Sequence, residues 1–94
     1  MASEIYKIAQ EVTHKSTPEK AVSYALTFYI QQKIKEYELK IKILKEKYHT
    51  DFEDFKEKLG TKFDLSWEHE KDYMDWEEAI TNIKYFKQVL KKLA

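Results

Sequence analysis

Apolar residues recur along this chain at the spacing of α-helices. Two series of apolar positions advance by alternating steps of three and four residues, so each forms a seam along one side of a helix. Two seams of matched length predict two long helices that pack antiparallel as a hairpin. The first seam consists of Ile30, Ile34, Tyr37, Ile41, Leu44 and Tyr48, and the second of Trp76, Ala79, Ile83, Phe86, Leu90 and Leu93.

Start and stop signals place the ends of these helices. The segment 16–19 (Ser-Thr-Pro-Glu) combines a hydroxyl cap with proline in the first turn, and the segment 50–53 (Thr-Asp-Phe-Glu) reads as a capping box. Gly60 suits the residue after a helix end, because glycine accepts the left-handed conformation. Either Asp64 or Ser66 can cap the last helix. A bend near His49 is preferred to an unbroken helix that runs on to Leu59.

The first residues predict a further short helix. Ile5, Ile8, Ala9 and Val12 share one side of a helix that would begin behind Ser3 as its cap. The predicted fold class is therefore all-α: a single domain, 1–94, that forms a long antiparallel helical hairpin, coiled-coil-like, with a short N-terminal helix and a kinked connection. The expected helices span about 3–13, 18–48, 51–59 and 67–93.

The seams do not use all the apolar residues. One set is expected to plug the closed end of the hairpin, and a second set lies on other sides of the long helices. Three arrangements could cover this second set: the N-terminal helix folded over Ala25 and Phe28, self-association into a four-helix arrangement, or a different protein partner. The plug consists of Phe52, Phe55, Leu59, Phe63, Leu65 and Trp67, and the second set includes Ala21, Ala25, Phe28, Leu39, Ile43, Met74 and Tyr85.

Composition excludes several classes of protein. The 94 residues contain 17 lysines and 17 acids, with no arginine and no cysteine. A disulfide scaffold and a cysteine-based zinc site are therefore excluded, no apolar run is long enough for a membrane span, and binding of a polyanion by the whole chain is not expected at zero net charge. The excess of lysine and glutamate is thermophile-like. Without a signal-peptide pattern at the start, we expect a cytoplasmic protein.

Charge is distributed unevenly along the chain. Residues 1–49 carry a net charge of +3 and residues 50–94 carry −3. Lys33, Lys40 and Lys47 repeat every seven residues beside the first seam, which favours ion pairs with acids of the neighbouring helix over a phosphate-binding stripe. Because nucleic-acid readers favour arginine, nucleic acid is not an expected partner.

The acidic run at the start of the last helix allows three interpretations. Its acids could match the positive end of the helix dipole, form a surface for a basic protein, or hold a metal through His69 and Asp72, which are three residues apart. No complete metal-binding motif accompanies this pair, so no metal site is predicted. The run consists of Glu68, Glu70, Asp72, Asp75, Glu77 and Glu78.

Two stretches of acids resemble a known enzyme pattern. Residues 53–57 (Glu-Asp-Phe-Lys-Glu) and 72–75 (Asp-Tyr-Met-Asp) look like the EExxE…ExxD pattern of MazG-like nucleotide pyrophosphohydrolases, with Asp54 and Asp72 in place of glutamates. The resemblance implies Mg²⁺-dependent hydrolysis by Glu53, Glu57, Asp72 and Asp75.

A second resemblance covers about residues 44–93. The stretches 47–55 (KYHTDFEDF) and 67–77 (WEHEKDYMDWE) resemble a "KYg-x-x-FeeF" and an "E-x-D-y-x-x-W-e" pattern. These patterns occur in small helical-hairpin proteins of archaea and cyanobacteria, some of which are suspected antitoxins. His49 stands where that group often has glycine. The resemblance implies that Trp76 and the acids around it structure the hairpin and mark a partner face, and it implies no catalytic residue.

The sequence thus predicts a non-enzymatic, antitoxin-like protein–protein interaction module without cofactor or metal. The expected partner is a second copy, in a homodimer or a higher oligomer, or a basic, toxin-like protein. The alternatives are a self-assembling structural protein and the Mg²⁺-dependent pyrophosphohydrolase. The predicted partner face consists of Ala25, Phe28, Leu39, Ile43, Tyr85, Glu68, Glu70, Asp72 and Asp75.

Overall fold

The computed structural model of the protein describes residues 2–94 and confirms an all-α helical hairpin. Helix α2 packs along α4, α1 packs against α2, and α3 packs against α4. The molecule is a rod of 57 × 24 × 18 Å. The described part of the chain has no β-strand, and its one isolated β-bridge joins Leu59 and Phe63. The four helices are α1 (Ala2–Thr13), α2 (Pro18–Tyr48), α3 (Phe52–Lys58) and α4 (Trp67–Leu93).

Side-chain caps hold the starts of three helices. In each case a side-chain oxygen accepts a hydrogen bond from a backbone N–H that the first turn leaves without a helical partner. Thr17 caps α2, Asp51 caps α3 and Ser66 caps α4. Because α1 already begins at Ala2, Ser3 lies inside that helix and is not its cap.

Left-handed residues set the bends between α2, α3 and α4. His49 has a φ of 55°, which ends α2 at Tyr48, so the helix does not continue into α3. Gly60, with a φ of 93°, turns the chain after α3. Glycine adopts this backbone conformation without steric cost, whereas histidine pays a strain energy for it.

The core follows the two seams and is densest at the closed end of the hairpin, where α3 and the connection to α4 lie. Phe55 and Trp76 are fully buried there against Leu44. Leu65 and Trp67 are instead 65% and 69% exposed, so their expected place in the plug is wrong. Trp67 stands nine residues, or two and a half turns, before Trp76, so it points to the opposite side of α4.

Helix α1 does not pack as its apolar pattern suggested. Ile5, Ile8 and Val12 are 66%, 59% and 72% exposed. Ala21 is fully buried, although it lies nine residues from Ile30 and therefore on the side of α2 opposite the seam. Two helices pack against α2: α4 on the side of the seam, and α1. We therefore infer that α1 covers Ala21.

The expected cover of Ala25 and Phe28 by α1 is therefore not formed, and both residues stay exposed. Among the helices of residues 2–94, none has the length and apolar character needed to cross a membrane.

Candidate interaction surface

Helix α2 presents an apolar outer face to solvent, and the sequence predicted its four residues. Phe28, Leu39 and Ile43 are 56%, 58% and 54% exposed, and Ala25 is exposed as well. Tyr85 is exposed on α4, where its ring lies 5.4 Å from that of Phe86. No described element covers these side chains, so the outer face is available to a partner.

Among the open grooves on the surface of the described residues, two lie along one flank of α2. The open-end groove, at the end opposite α3, has a volume of about 520 Å³, and the closed-end groove has a volume of about 340 Å³. Tyr6, Pro18, Glu19, Val22, Ser23, Leu26 and Leu93 line the open-end groove. Glu36, Leu39, Lys40, Ile43, Leu44 and Asp75 line the closed-end groove. The closed-end groove thus joins two residues of the outer face to Asp75 of the acidic run.

The acids of the predicted partner face are mostly engaged within the chain. Lys47 lies 2.7 Å from Glu68 and 2.6 Å from Asp72, and Lys71 lies 2.8 Å from Asp75. In residues 2–94, the carboxylate of Glu70 has no ion pair or hydrogen bond. These acids therefore mainly hold α4 to α2 and stabilise its first turns.

Asp72 is the centre of this network. Its Oδ2 accepts hydrogen bonds from the Nζ of Lys47 at 2.6 Å and from the hydroxyl of Tyr48 at 2.5 Å. Burial alone would raise the pKa of Asp72, but these two hydrogen bonds outweigh it and lower the pKa. The hydrogen bonds to Asp72 and Glu68 raise the pKa of Lys47, and burial followed by the bond to Asp72 raises that of Tyr48 to about 12.

Two lysines of the row Lys33, Lys40 and Lys47 form ion pairs of different kinds. Lys47 pairs with acids of α4, as the spacing predicted, but Lys33 pairs with Glu36 of its own helix at 3.0 Å. The ammonium group of Lys33 also lies 5.6 Å from the ring centre of Tyr37.

His69 and Asp72, the pair considered for metal binding, both have partners within the chain. The ring of His69 hydrogen-bonds through Nδ1 to the backbone carbonyl of Asp64 at 2.8 Å and packs edge-on against Tyr48. It therefore closes the connection before α4. Across residues 2–94, no three histidine or acidic side chains form a group that could hold a metal ion.

The acids of the pyrophosphohydrolase pattern form no such group within residues 2–94. Glu53 and Glu57 are exposed on α3, while Asp72 is bound by Lys47 and Tyr48. No contact in the described part of the chain joins these acids into one site.

The sequence pattern did not predict the open-end groove. Val22 and Leu26 are four residues apart and next to the first seam, which was the available signal. Their grouping with Tyr6 of α1 and Leu93 of α4 depends on how three helices meet at the open end. No protein-family model, curated protein or solved structure matches this chain.

Proposed function

We propose that the chain is a non-enzymatic, antitoxin-like protein–protein interaction module. The hairpin acts as a rigid support, and the outer face of α2 (Ala25, Phe28, Leu39, Ile43) binds the partner. The observation that carries the proposal is the exposure of Phe28, Leu39 and Ile43, each more than half accessible on a capped and continuous helix.

The free-energy gain from covering this face supports the proposal. Burial of apolar surface contributes roughly 25 cal/mol per Å². Within residues 3–94 only seven apolar residues are buried, so the core of the single chain is small. A partner on the outer face therefore adds a second core to a chain that has little of its own.

Charge supports a partner with a basic surface. Residues 46–78, which form the closed end, contain twelve acids and five lysines, a net charge of −7. Since Glu68, Asp72 and Asp75 are already paired, this charge attracts a partner through its field rather than through those three carboxylates. The resemblance of residues 47–55 and 67–77 to suspected antitoxins supports the same class of partner.

The test is to express the tagged chain from its native locus and to measure the stoichiometry of bound proteins, other copies of the chain included. We expect one stoichiometric partner, which is lost in the Ile43→Glu variant. The matched control is Val12→Glu, which places the same charge on an exposed apolar residue of α1 outside the outer face. A chain that is monomeric and binds nothing would overturn the proposal, as would equal loss of the partner in both variants.

A further inference from the structure

We infer that a second copy of the chain packs antiparallel along the flank of α2 that carries both grooves and that meets the outer face at Leu39 and Ile43. The inference rests on the proposed function and names the occupant. Three observations carry it: the two grooves open on one side of α2, they are symmetric about the middle of that helix, and the two ends of the rod carry opposite charge.

The first observation follows from helix geometry. Val22 and Lys40 are eighteen residues apart, and so are Leu26 and Leu44. Eighteen residues make five turns of an α-helix, so each pair points in the same direction. Val22 and Leu26 line the open-end groove, and Lys40 and Leu44 line the closed-end groove. The two grooves therefore lie on the same flank, about 27 Å apart along α2.

The second observation is the symmetry of this arrangement. The midpoint between residues 22 and 44, and between 26 and 40, is position 33, which is also the middle of α2 (Pro18–Tyr48). A two-fold axis at this level places the open-end groove of each copy over the closed-end groove of the other. Because the axis lies at the middle of α2, the two copies of this helix overlap along their whole length.

The apolar residues around the grooves fit such a contact. Leu26 is 44% exposed at the open-end groove, and Leu39 and Ile43 are 58% and 54% exposed at the closed-end groove. In the antiparallel pair, Leu26 of one copy lies opposite Lys40 of the other. It therefore comes close to Leu39 and Ile43, which flank Lys40 in the sequence. The two-fold axis repeats the contact, so it forms twice in one isologous interface.

The third observation is the charge of the two ends. The closed end, residues 46–78, has a net charge of −7. Residues 79–94 carry four lysines and no acid, and residues 1–45 carry +3. Antiparallel packing sets the negative end of each copy beside the positive half of the other, whereas parallel packing brings two ends of −7 together.

The first experiment measures the absolute mass by light scattering on a sizing column, at several salt concentrations. We expect twice the chain mass of 11.4 kDa, with a dimer that weakens as salt screens the opposite ends. Leu26→Glu and Ile43→Glu are each expected to raise the dissociation constant roughly 30-fold or more. Val12→Glu, outside both grooves, is expected to leave the dimer unchanged, and helicity by circular dichroism shows whether each variant folds.

The second experiment determines the orientation and keeps every apolar residue in place. Because the chain has no cysteine, single cysteines can be introduced at Ser23, in the open-end groove, and at Lys40, in the closed-end groove. An antiparallel pair joins Ser23→Cys to Lys40→Cys through a short thiol crosslinker. Two copies of Ser23→Cys are not joined, because their α2 positions lie about 30 Å apart along the axis. In a parallel pair, two copies of Ser23→Cys are joined, and Ser23→Cys is not joined to Lys40→Cys.

The outcomes separate this inference from the proposed function. Crosslinks between Ser23→Cys and Lys40→Cys, in a dimer that Ile43→Glu weakens, support the inference. A monomer at high concentration, a parallel dimer, or a dimer insensitive to Leu26→Glu and Ile43→Glu overturns it. A monomer that binds a different protein through Ile43 overturns the inference and leaves the proposed function standing.

Discussion

The hydroxyl of Tyr48 donates a hydrogen bond of 2.5 Å to the carboxylate of Asp72, which ties the last residue of α2 to the second turn of α4. The same oxygen of Asp72 accepts a bond from Lys47, the residue before Tyr48. The ring of Tyr48 lies 4.4 Å from that of Phe55 and 6.4 Å from that of Trp76. One residue thus joins the polar network to the aromatic core of the closed end.

Asp72 makes stability depend on acid pH. Its pKa lies below the ordinary 3.8, since the bonds from Lys47 and Tyr48 outweigh the effect of burial. The unfolded chain therefore binds more protons than the folded chain in this range. The stabilisation is complete above the ordinary pKa and is lost as pH falls through the lower pKa of the folded state.

In Asp72→Asn we expect this part of the pH dependence to disappear. The free energy of unfolding at neutral pH should fall by about 1.5–3 kcal/mol, since two bonds to a charged acceptor are lost. Urea denaturation at a series of pH values measures both effects. Glu70→Gln is the control, and an unchanged slope with pH in Asp72→Asn would contradict the prediction.

Tyr48 makes stability depend on alkaline pH. Burial, and then the bond to Asp72, raise the pKa of Tyr48 from 10.0 to about 12. Its contribution is complete below pH 10 and is lost as pH rises toward 12, because the unfolded chain releases the phenolic proton first. In Tyr48→Phe we expect a shallower alkaline loss, whereas Tyr85→Phe, at an exposed position, should keep the wild-type profile. The hydrogen bond to Glu77 raises the pKa of Tyr73 as well, so tyrosinate absorbance should show a tyrosine that ionises near pH 12 beside Tyr73. An unchanged absorbance titration in Tyr48→Phe would refute the assignment.

Truncation of two aromatic residues that were expected in the plug should have very different effects on the free energy of unfolding. Phe55 is fully buried, and Phe55→Ala should lower the free energy of unfolding by about 3–5 kcal/mol. Trp67 is 69% exposed, and Trp67→Ala should change the free energy of unfolding by less than about 0.5 kcal/mol. Thermal and urea unfolding of both variants measure the difference. A large loss in Trp67→Ala would mean that a partner or a second copy covers this residue.

His49→Gly should stabilise the protein. His49 has a φ of 55°, in the region where a side chain is strained and glycine is not. Relief of about 1 kcal/mol of strain is partly offset by the greater freedom of glycine in the unfolded chain, so a net gain of roughly 0.5 kcal/mol is expected. Gly60→Ala, at a φ of 93°, should destabilise, and it supplies a control of opposite sign in the same urea series. A loss of stability in His49→Gly would show that the imidazole makes a contact that outweighs the strain.

The fold class and the capping chemistry could be read from the sequence because they depend on local signals. Thr17, Asp51 and Ser66 cap the first turns through bonds that span three residues. The exposed outer face was predictable as well. Helix periodicity places Leu39 and Ile43 on the side of α2 away from the seam, however α4 packs against it. What local rules could not supply was the packing of α1. The sequence pattern marks Ile5, Ile8 and Val12 as one apolar stripe but does not say which side of α1 meets α2.

The role of the acids also depended on long-range contacts. The sequence determined that Glu68, Asp72 and Asp75 lie in the first turns of α4, but not whether they are free. The hairpin closes so that Lys47 reaches Glu68 and Asp72 across helices, 21 and 25 residues away in sequence. By itself the sequence therefore determined which residues share a helix face, because helix periodicity depends only on near neighbours. Only the tertiary structure decided which faces are covered and where the two grooves open, because these depend on how separate helices meet.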